Sequence, residues 1–405
     1  MVEPHAVRHI CLTETPEAAA KLFEQQGLNA YRLEQLLLST AAAGERRRSE
    51  AVELLDAWGR STRTELYVPP TLDGHPLGLI VALHGAGGSG AEMEPYMQPL
   101  ADACGAVLLC PTAHQPIGGS NNFDLAGLFG SRFNEARWTT DPGDFPVRAF
   151  RWARENLAID VDHCALVGAS MGGIATWGIA SRRWDSLAMA ASINGAPSIW
   201  EMFGPDQTMR ELLPNLVNLP FTVVHGSRDQ QIAPILDTEA VTQLRRMGHQ
   251  RISLVEVPDG EHKLSTMQID PGNPQFDKIV HYFRSARRTP WPLRVRHHAR
   301  ESENGRAHWV EIKDIIPGQT ATVEGRVVDR KHLDVRTSGC SRICVFLSDR
   351  LIDPGRVLVT VNDAPREILF RPSMVDAITT YVHAEADPGR MAHMVVEVEM
   401  PEIRE

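Results

Sequence analysis

Six short apolar runs recur through the middle of this chain, at 79–84, 105–110, 164–169, 188–193, 221–225 and 252–257. Stretches with helical periodicity lie between them, near 91–103, 144–157, 171–183, 235–247 and 275–287. The runs are apolar nearly throughout, so a strand built from one must be covered on both faces. A helix between successive strands does this most directly. The pattern predicts an α/β domain over residues 62–288: a mostly parallel sheet with helices on both faces. Residues 114–143 and 196–219 interrupt the repeat, and both follow strand ends on the side where such sheets gather their binding loops.

One of the runs leads straight into a motif. Cys164-Ala-Leu-Val-Gly168-Ala-Ser170-Met-Gly172-Gly173 is an apolar strand, then G-x-S-x-G, then a helix with Ile174, Trp177 and Ile179. A serine hydroxyl is a poor nucleophile unless the backbone projects it clear of its neighbours and a base sits beside it. Gly168 and Gly172 leave room for the tight strand-to-helix turn, and the following helix aims its positive end at the reacting carbonyl. The required partners follow in order. The run Phe221-Thr-Val-Val-His225 breaks at Gly226 and delivers Asp229; Ile252-Ser-Leu-Val-Glu-Val257 ends in a turn that delivers His262. The expected set is therefore Ser170 as nucleophile, His262 as base and Asp229 as the acid that orients it. Asp259 and Glu261 are rival acids, but they sit on the histidine's own loop. His225 is a rival base, read instead as a structural hydrogen-bonding group at a strand end. A second strand, Leu79-Ile-Val-Ala-Leu83, runs into His84-Gly85-Ala86-Gly87-Gly88. Backbone N–H groups of Gly85 or Ala86, together with Met171, are the candidate oxyanion donors. This glycine-rich turn lacks the Lys-Ser/Thr of a phosphate cradle and does not fit G-x-G-x-x-G.

With Leu83-His84-Gly85, Gly168-Ala-Ser170-Met-Gly-Gly173, His225-Gly-Ser-Arg-Asp229 and Gly260-Glu-His262 in view, residues 62–288 resemble the α/β-hydrolase superfamily. Within it they are similar to bacterial serine esterases related to polyhydroxybutyrate depolymerases, feruloyl esterases and the catalytic domain of prolyl oligopeptidases. The resemblance implies an α/β-hydrolase fold, a small-molecule carboxylic ester as substrate, and a Ser-His-Asp mechanism through an acyl-enzyme on Ser170, Asp229 and His262. No cofactor or metal is expected. A peptidase or amidase using the same residues, a water-excluding acyltransferase and a non-catalytic binding protein on the same fold are the alternatives. His84, Trp138, Trp200 and Phe203 are the candidate substrate-binding residues.

The net charge of −10 argues against a nucleic-acid or anionic-membrane partner. Arg46-Arg47-Arg48 reads as a solvated helix face, and the basic stretch from Arg284 to Arg300 as a linker. No apolar run is long enough to span a bilayer, and the N-terminus lacks a basic-then-apolar leader, so a cytoplasmic location is expected. Cys104, Cys110 and Cys164 read as small buried hydrophobes; Cys340 and Cys344, spaced C-x-x-x-C without a second pair, read as free thiols rather than zinc ligands. His5 and His9 are assigned no metal. Residues 1–61 read as a helical segment, opened by Thr15-Pro16-Glu17 and striped by Leu33, Leu36, Leu37, Val52, Leu54, Leu55 and Trp58. It would clamp the hydrolase body or act as its lid. Beyond the prolines of 289–293 the pattern becomes short alternating strands, predicting a β-sandwich-like domain over 289–405 that is a possible site of homo-oligomerisation.

Overall fold

The apolar runs pair side by side in a computed structural model that describes residues 4–39, 48–70, 77–115, 136–197 and 208–400. Its chain divides into two units, one of residues 42–153 and 158–288, the other of residues 1–41, 154–157 and 289–405. Three helices come first, α1 (Pro4–Thr13), α2 (Pro16–Gln25) and α3 (Ala30–Leu38), and belong to the latter unit.

The unit centred on 62–288 holds β1 (Arg48–Leu55), β2 (Ser61–Val68), β3 (Leu77–Leu83), β4 (Ala106–Pro111), β5 (Ile159–Ala169), β6 (Met189–Ile193), β7 (Phe221–Gly226) and β8 (Ile252–Val257). They form one eight-stranded sheet in the order β1-β2-β4-β3-β5-β6-β7-β8. The β1–β2 and β2–β4 pairs are antiparallel, and the remaining pairs are parallel. Strands β3 to β8 fall on the six apolar runs. The helices are α4 (Gly90–Cys104), α5 (Phe145–Asn156), α6 (Met171–Arg183), α7 (Pro234–Arg246) and α8 (Pro274–Ser285). Helix α4 starts at Ser89, whose hydroxyl accepts from the Glu92 N–H, and stops at Gly105 in a left-handed conformation. Helix α6 is buried along nearly its whole length and packs on β3, β5 and β6. A helix with no solvated face is fixed by packing, which makes it a firm base for the residue that precedes it.

The pattern predicts a helical segment through residue 61, and here the structure differs. Residues 48–55 are a strand, with Val52 opposite Thr64 and Leu54 opposite Thr62 in the hairpin with β2. Leu54 faces inward and Leu55 faces solvent, so the period is two; Trp58 lies in the turn. Spacings of 52, 54, 55 and 58 imitate a helical stripe only because the turn residue is counted with the strand.

In the other unit, Val7, Phe23, Leu33 and Leu37 of α1–α3 share one core with Ile378 and Tyr381 of α9 (Met374–His383). Its strands are β9 (Arg294–Ala299), β10 (Arg306–Ala307), β11 (Val310–Ile315), β12 (Ala321–Asp329), β13 (His332–Ser338), β14 (Cys340–Leu347), β15 (Gly355–Val361), β16 (Ala364–Phe370) and β17 (Met394–Glu399). They make a four-stranded sheet, β10-β11-β14-β17, and a five-stranded sheet, β16-β15-β13-β12-β9. Residues 294–299, read as linker, are a strand antiparallel to β12. Helix α9 interrupts the expected all-β pattern and is capped by Ser373, whose hydroxyl accepts from the Asp376 N–H. Cys104, Cys110, Cys340 and Cys344 are buried, and burial pushes the Cys104 thiol up to about 12, far from thiolate chemistry. Among the described residues no helix is long and apolar enough to cross a membrane.

Candidate active site

Ser170 follows β5 directly and adopts φ 55°, ψ −118°, a conformation that L residues rarely take and that costs about 1–3 kcal/mol. The turn is held from both sides. The Ser170 N–H donates to the Ile193 carbonyl at 2.8 Å, and its own carbonyl accepts from the Ile174 N–H at 2.9 Å. The flanking glycines are required by close approach of backbone, since neither has a positive φ. A Cβ on Gly168 would run into the Gly172 carbonyl, and one on Gly172 would run into the Leu83 carbonyl.

The serine hydroxyl lies 2.7 Å from Nε2 of His262, and Nδ1 of the same ring lies 2.6 Å from Oδ2 of Asp229. With Nδ1–H donating to the carboxylate, the Nε2 lone pair faces the hydroxyl. Oδ1 of Asp229 accepts from the backbone N–H groups of Gln231 and Ile232 at 2.8 and 2.9 Å. Burial alone would raise this acid; hydrogen bonds from His225 and His262 overcome that and hold it well below the usual carboxylate range. The loops carrying Asp229 and His262 are joined to each other. Ser227 N–H donates to the Val257 carbonyl at 3.0 Å, Arg228 N–H to the Gly260 carbonyl at 2.9 Å, and Asp259 N–H to the Ser227 hydroxyl at 2.9 Å. The rival acids point elsewhere: Asp259 pairs with Arg228 and Glu261 with Lys263, all four side chains solvent-exposed. Asn194 carries no sequence signal of its own, since Asn-Gly after a strand reads as a plain turn. Its amide donates to the Glu261 carbonyl at 3.1 Å and accepts from the Gly226 N–H at 2.9 Å, tying the ends of β6 and β7 to the histidine loop.

On the other side of Ser170 stands the loop after β3. His84 Nε2 accepts from the Ala113 N–H at 3.0 Å, so Nδ1 carries the proton and donates to the Gly85 carbonyl at 2.6 Å. Gly88 N–H donates to the same carbonyl at 3.2 Å. In a trans peptide the N–H lies opposite the C=O, so pinning the Gly85 carbonyl turns the Ala86 N–H the other way. Trp138 donates its indole N–H to the His84 carbonyl at 2.9 Å, and its ring is buried against the imidazole. Trp138, expected as a wall for substrate, is placed as a brace behind this loop, because its polar atom is satisfied inward. His84 is likewise buried, though it borders the cavity, and burial lowers its basicity. Trp200 and Phe203 lie outside the described residues. Ser170 and His262 border a cavity of about 490 Å³, walled on its apolar side by Met93, Ile174, Ile193 and Leu264.

A sheet of this strand order, with a serine on a strained turn after β5, an acid after β7 and a histidine after β8, defines the α/β-hydrolase fold. No protein-family model and no curated protein sequence matches the chain. Solved structures similar to it include an S-formylglutathione hydrolase of Staphylococcus aureus, at 12% identity over 59% of this chain and 100% of that one, with a TM-score of 0.42. An esterase of Pyrobaculum calidifontis is 17% identical over 69% of this chain and 97% of its own, with a TM-score of 0.41. An acylaminoacyl peptidase of Pyrococcus horikoshii is 15% identical over 61% of this chain and 43% of its own, with a TM-score of 0.43.

Proposed function

We propose that the protein is a serine hydrolase that cleaves small carboxylic esters through an acyl-enzyme intermediate. The observation that carries this reading is the continuous relay from Ser170 Oγ through His262 to Asp229, at 2.7 and 2.6 Å. In the first step Ser170 Oγ attacks the ester carbonyl and its proton passes to His262 Nε2. The tetrahedral oxyanion is received by the Met171 N–H at the start of α6 and by the N–H of Ala86 or Gly85. Collapse breaks the bond to the alkoxy oxygen, which leaves as alcohol with the proton from His262. Water then enters, gives its proton to His262 and attacks the acyl group; Ser170 recovers the proton as the carboxylic acid departs. Asp229 stays ionised and stabilises the imidazolium in both halves. The apolar cavity wall suits the acyl part of such a substrate.

The test is turnover on p-nitrophenyl esters of increasing chain length beside aminoacyl p-nitroanilides, with wild type and Ser170→Ala. The expected result is ester hydrolysis at least a hundredfold above amide hydrolysis, abolished by Ser170→Ala. Preference for the anilides would make the protein a peptidase, and full activity in Ser170→Ala would remove the mechanism.

A further inference from the structure

Behind the acid lies a second histidine–aspartate pair that the relay above does not use. His225, at the end of β7, is buried, and both ring nitrogens face acceptors. Nδ1 is 2.7 Å from Oδ2 of Asp237 on α7. Nε2 is 3.0 Å from the Ile232 carbonyl and 3.3 Å from Oδ2 of Asp229, the same oxygen that receives His262. A carbonyl can only accept, so Nε2 carries a hydrogen. Asp237 is fully buried, and its other oxygen accepts from the Trp177 indole N–H at 3.0 Å. Nδ1 and Asp237 therefore share a second proton. That proton satisfies every polar atom of the pair whether it sits on Nδ1 or on Asp237, and the second carboxylate, Asp229 at 3.3 Å from Nε2, favours the charged arrangement, imidazolium between two carboxylates. Burial by itself pulls the His225 imidazole down; the hydrogen bonds to Asp229 and Asp237 reverse that and raise it to about 9. Burial in turn raises the Asp237 carboxyl, against the pull of His225. On the neighbouring strand β8 the register partner of His225 is Glu256, which is solvent-exposed; β6 presents Asn194, which is uncharged, and α6 presents Trp177.

We propose that His225 and Asp237 form an ion pair behind Asp229 that positions the acid and sets the low-pH limit of the reaction. The inference rests on the Ser170–His262–Asp229 reading. His225 is a positioning residue: it reaches the reacting atoms only through Asp229. Its cation touches the oxygen on which His262 rests, so it opposes a second positive charge on that side of the carboxylate and extends activity to lower pH. The two ring nitrogens share one oxygen partner and so lie within about 6 Å of each other. Coulomb repulsion between the two rings' positive charges at an effective dielectric constant of about 20, offset by the more distant Asp237, makes the effect about one pH unit.

The experiment is the pH dependence of kcat/KM for p-nitrophenyl acetate in wild type, His225→Gln and His225→Gln/Asp237→Asn, with thermal melts of each. Glutamine keeps an N–H donor but no charge, and an unpaired Asp237 buried here would take up a proton and become neutral. Both variants should shift the acidic limb upward by about one pH unit. The double variant replaces an ion pair by two amides, so it answers the question if the single variant folds poorly. An acidic limb that stays in place in folded variants, whatever their stability, or one that moves downward, overturns the proposal. Wild-type turnover that survives Ser170→Ala would instead remove the triad reading beneath it, a different and separately visible failure.

Discussion

Replacing Asp229 by asparagine tests the site at the group with the fewest alternatives. Each carboxylate oxygen of Asp229 faces donors: Oδ1 receives the N–H groups of Gln231 and Ile232, and Oδ2 receives His262 at 2.6 Å and His225 at 3.3 Å. An amide must set an NH₂ against one of these pairs. Facing the backbone, it would bury three donors together with no acceptor. Facing the rings, it can be relieved in one way, by His262 moving its proton from Nδ1 to Nε2. That tautomer donates to Ser170 and has no lone pair to take the hydroxyl proton. The loss should be about 10⁴-fold in kcat, or about 5 kcal/mol of transition-state stabilisation, with KM changed little. Steady-state hydrolysis of p-nitrophenyl acetate measures it, with a melt to show that the variant is folded. A folded Asp229→Asn protein within tenfold of wild type would refute the assignment of the acid; a comparable loss in Asp259→Asn would move it there.

Three further outcomes follow from the same geometry. Gly172→Ala should lower the melting temperature by several degrees, since overpacking costs about 1–3 kcal/mol and the atom it meets is the Leu83 carbonyl rather than a movable side chain. Trp138→Phe keeps an aromatic ring but removes the pyrrole half of the indole and its hydrogen bond to the His84 carbonyl; it should cost about 1–3 kcal/mol of stability by denaturant titration and lower kcat more than it raises KM. His249 accepts from the Arg251 N–H at Nδ1 and donates to the Leu219 carbonyl, and burial above all lowers it to about 4. The unfolded chain takes that proton near pH 6.5 and the folded chain near 4, so the stability His249 contributes is full above 6.5 and is lost as pH falls to 4; His249→Gln should flatten that part of a stability–pH curve.

Much of this was legible from residue order, for a physical reason. Strands β3 to β8 are covered on both faces, so their apolar runs stand out without help from neighbours, and G-x-S-x-G encodes a local steric demand that Gly168 and Gly172 meet. What escaped notice depends on distant partners. In β9 the inward positions include His297 and Ala299 beside Val295, so a half-buried strand looked like a basic linker. Helix α9 is rich in β-branched residues and resembles a strand, although Ser373 and Asp376 carry the capping spacing that would have marked it. His225 at a strand end reads as a structural hydrogen-bonding group, but its partner Asp237 sits in the first turn of α7 and meets it only when that helix docks on β7. Trp138 looked like a pocket wall because an aromatic after an insertion gives no sign of which way its indole N–H will turn.

The most direct measurement is covalent labelling with a fluorophosphonate probe followed by peptide mapping of the intact protein. A single stoichiometric adduct on Ser170 is expected, slowed by an ester substrate and lost in Ser170→Ala. No adduct at all, or one carried by a different serine with Ser170 unmodified, would contradict the assignment of Ser170 as nucleophile.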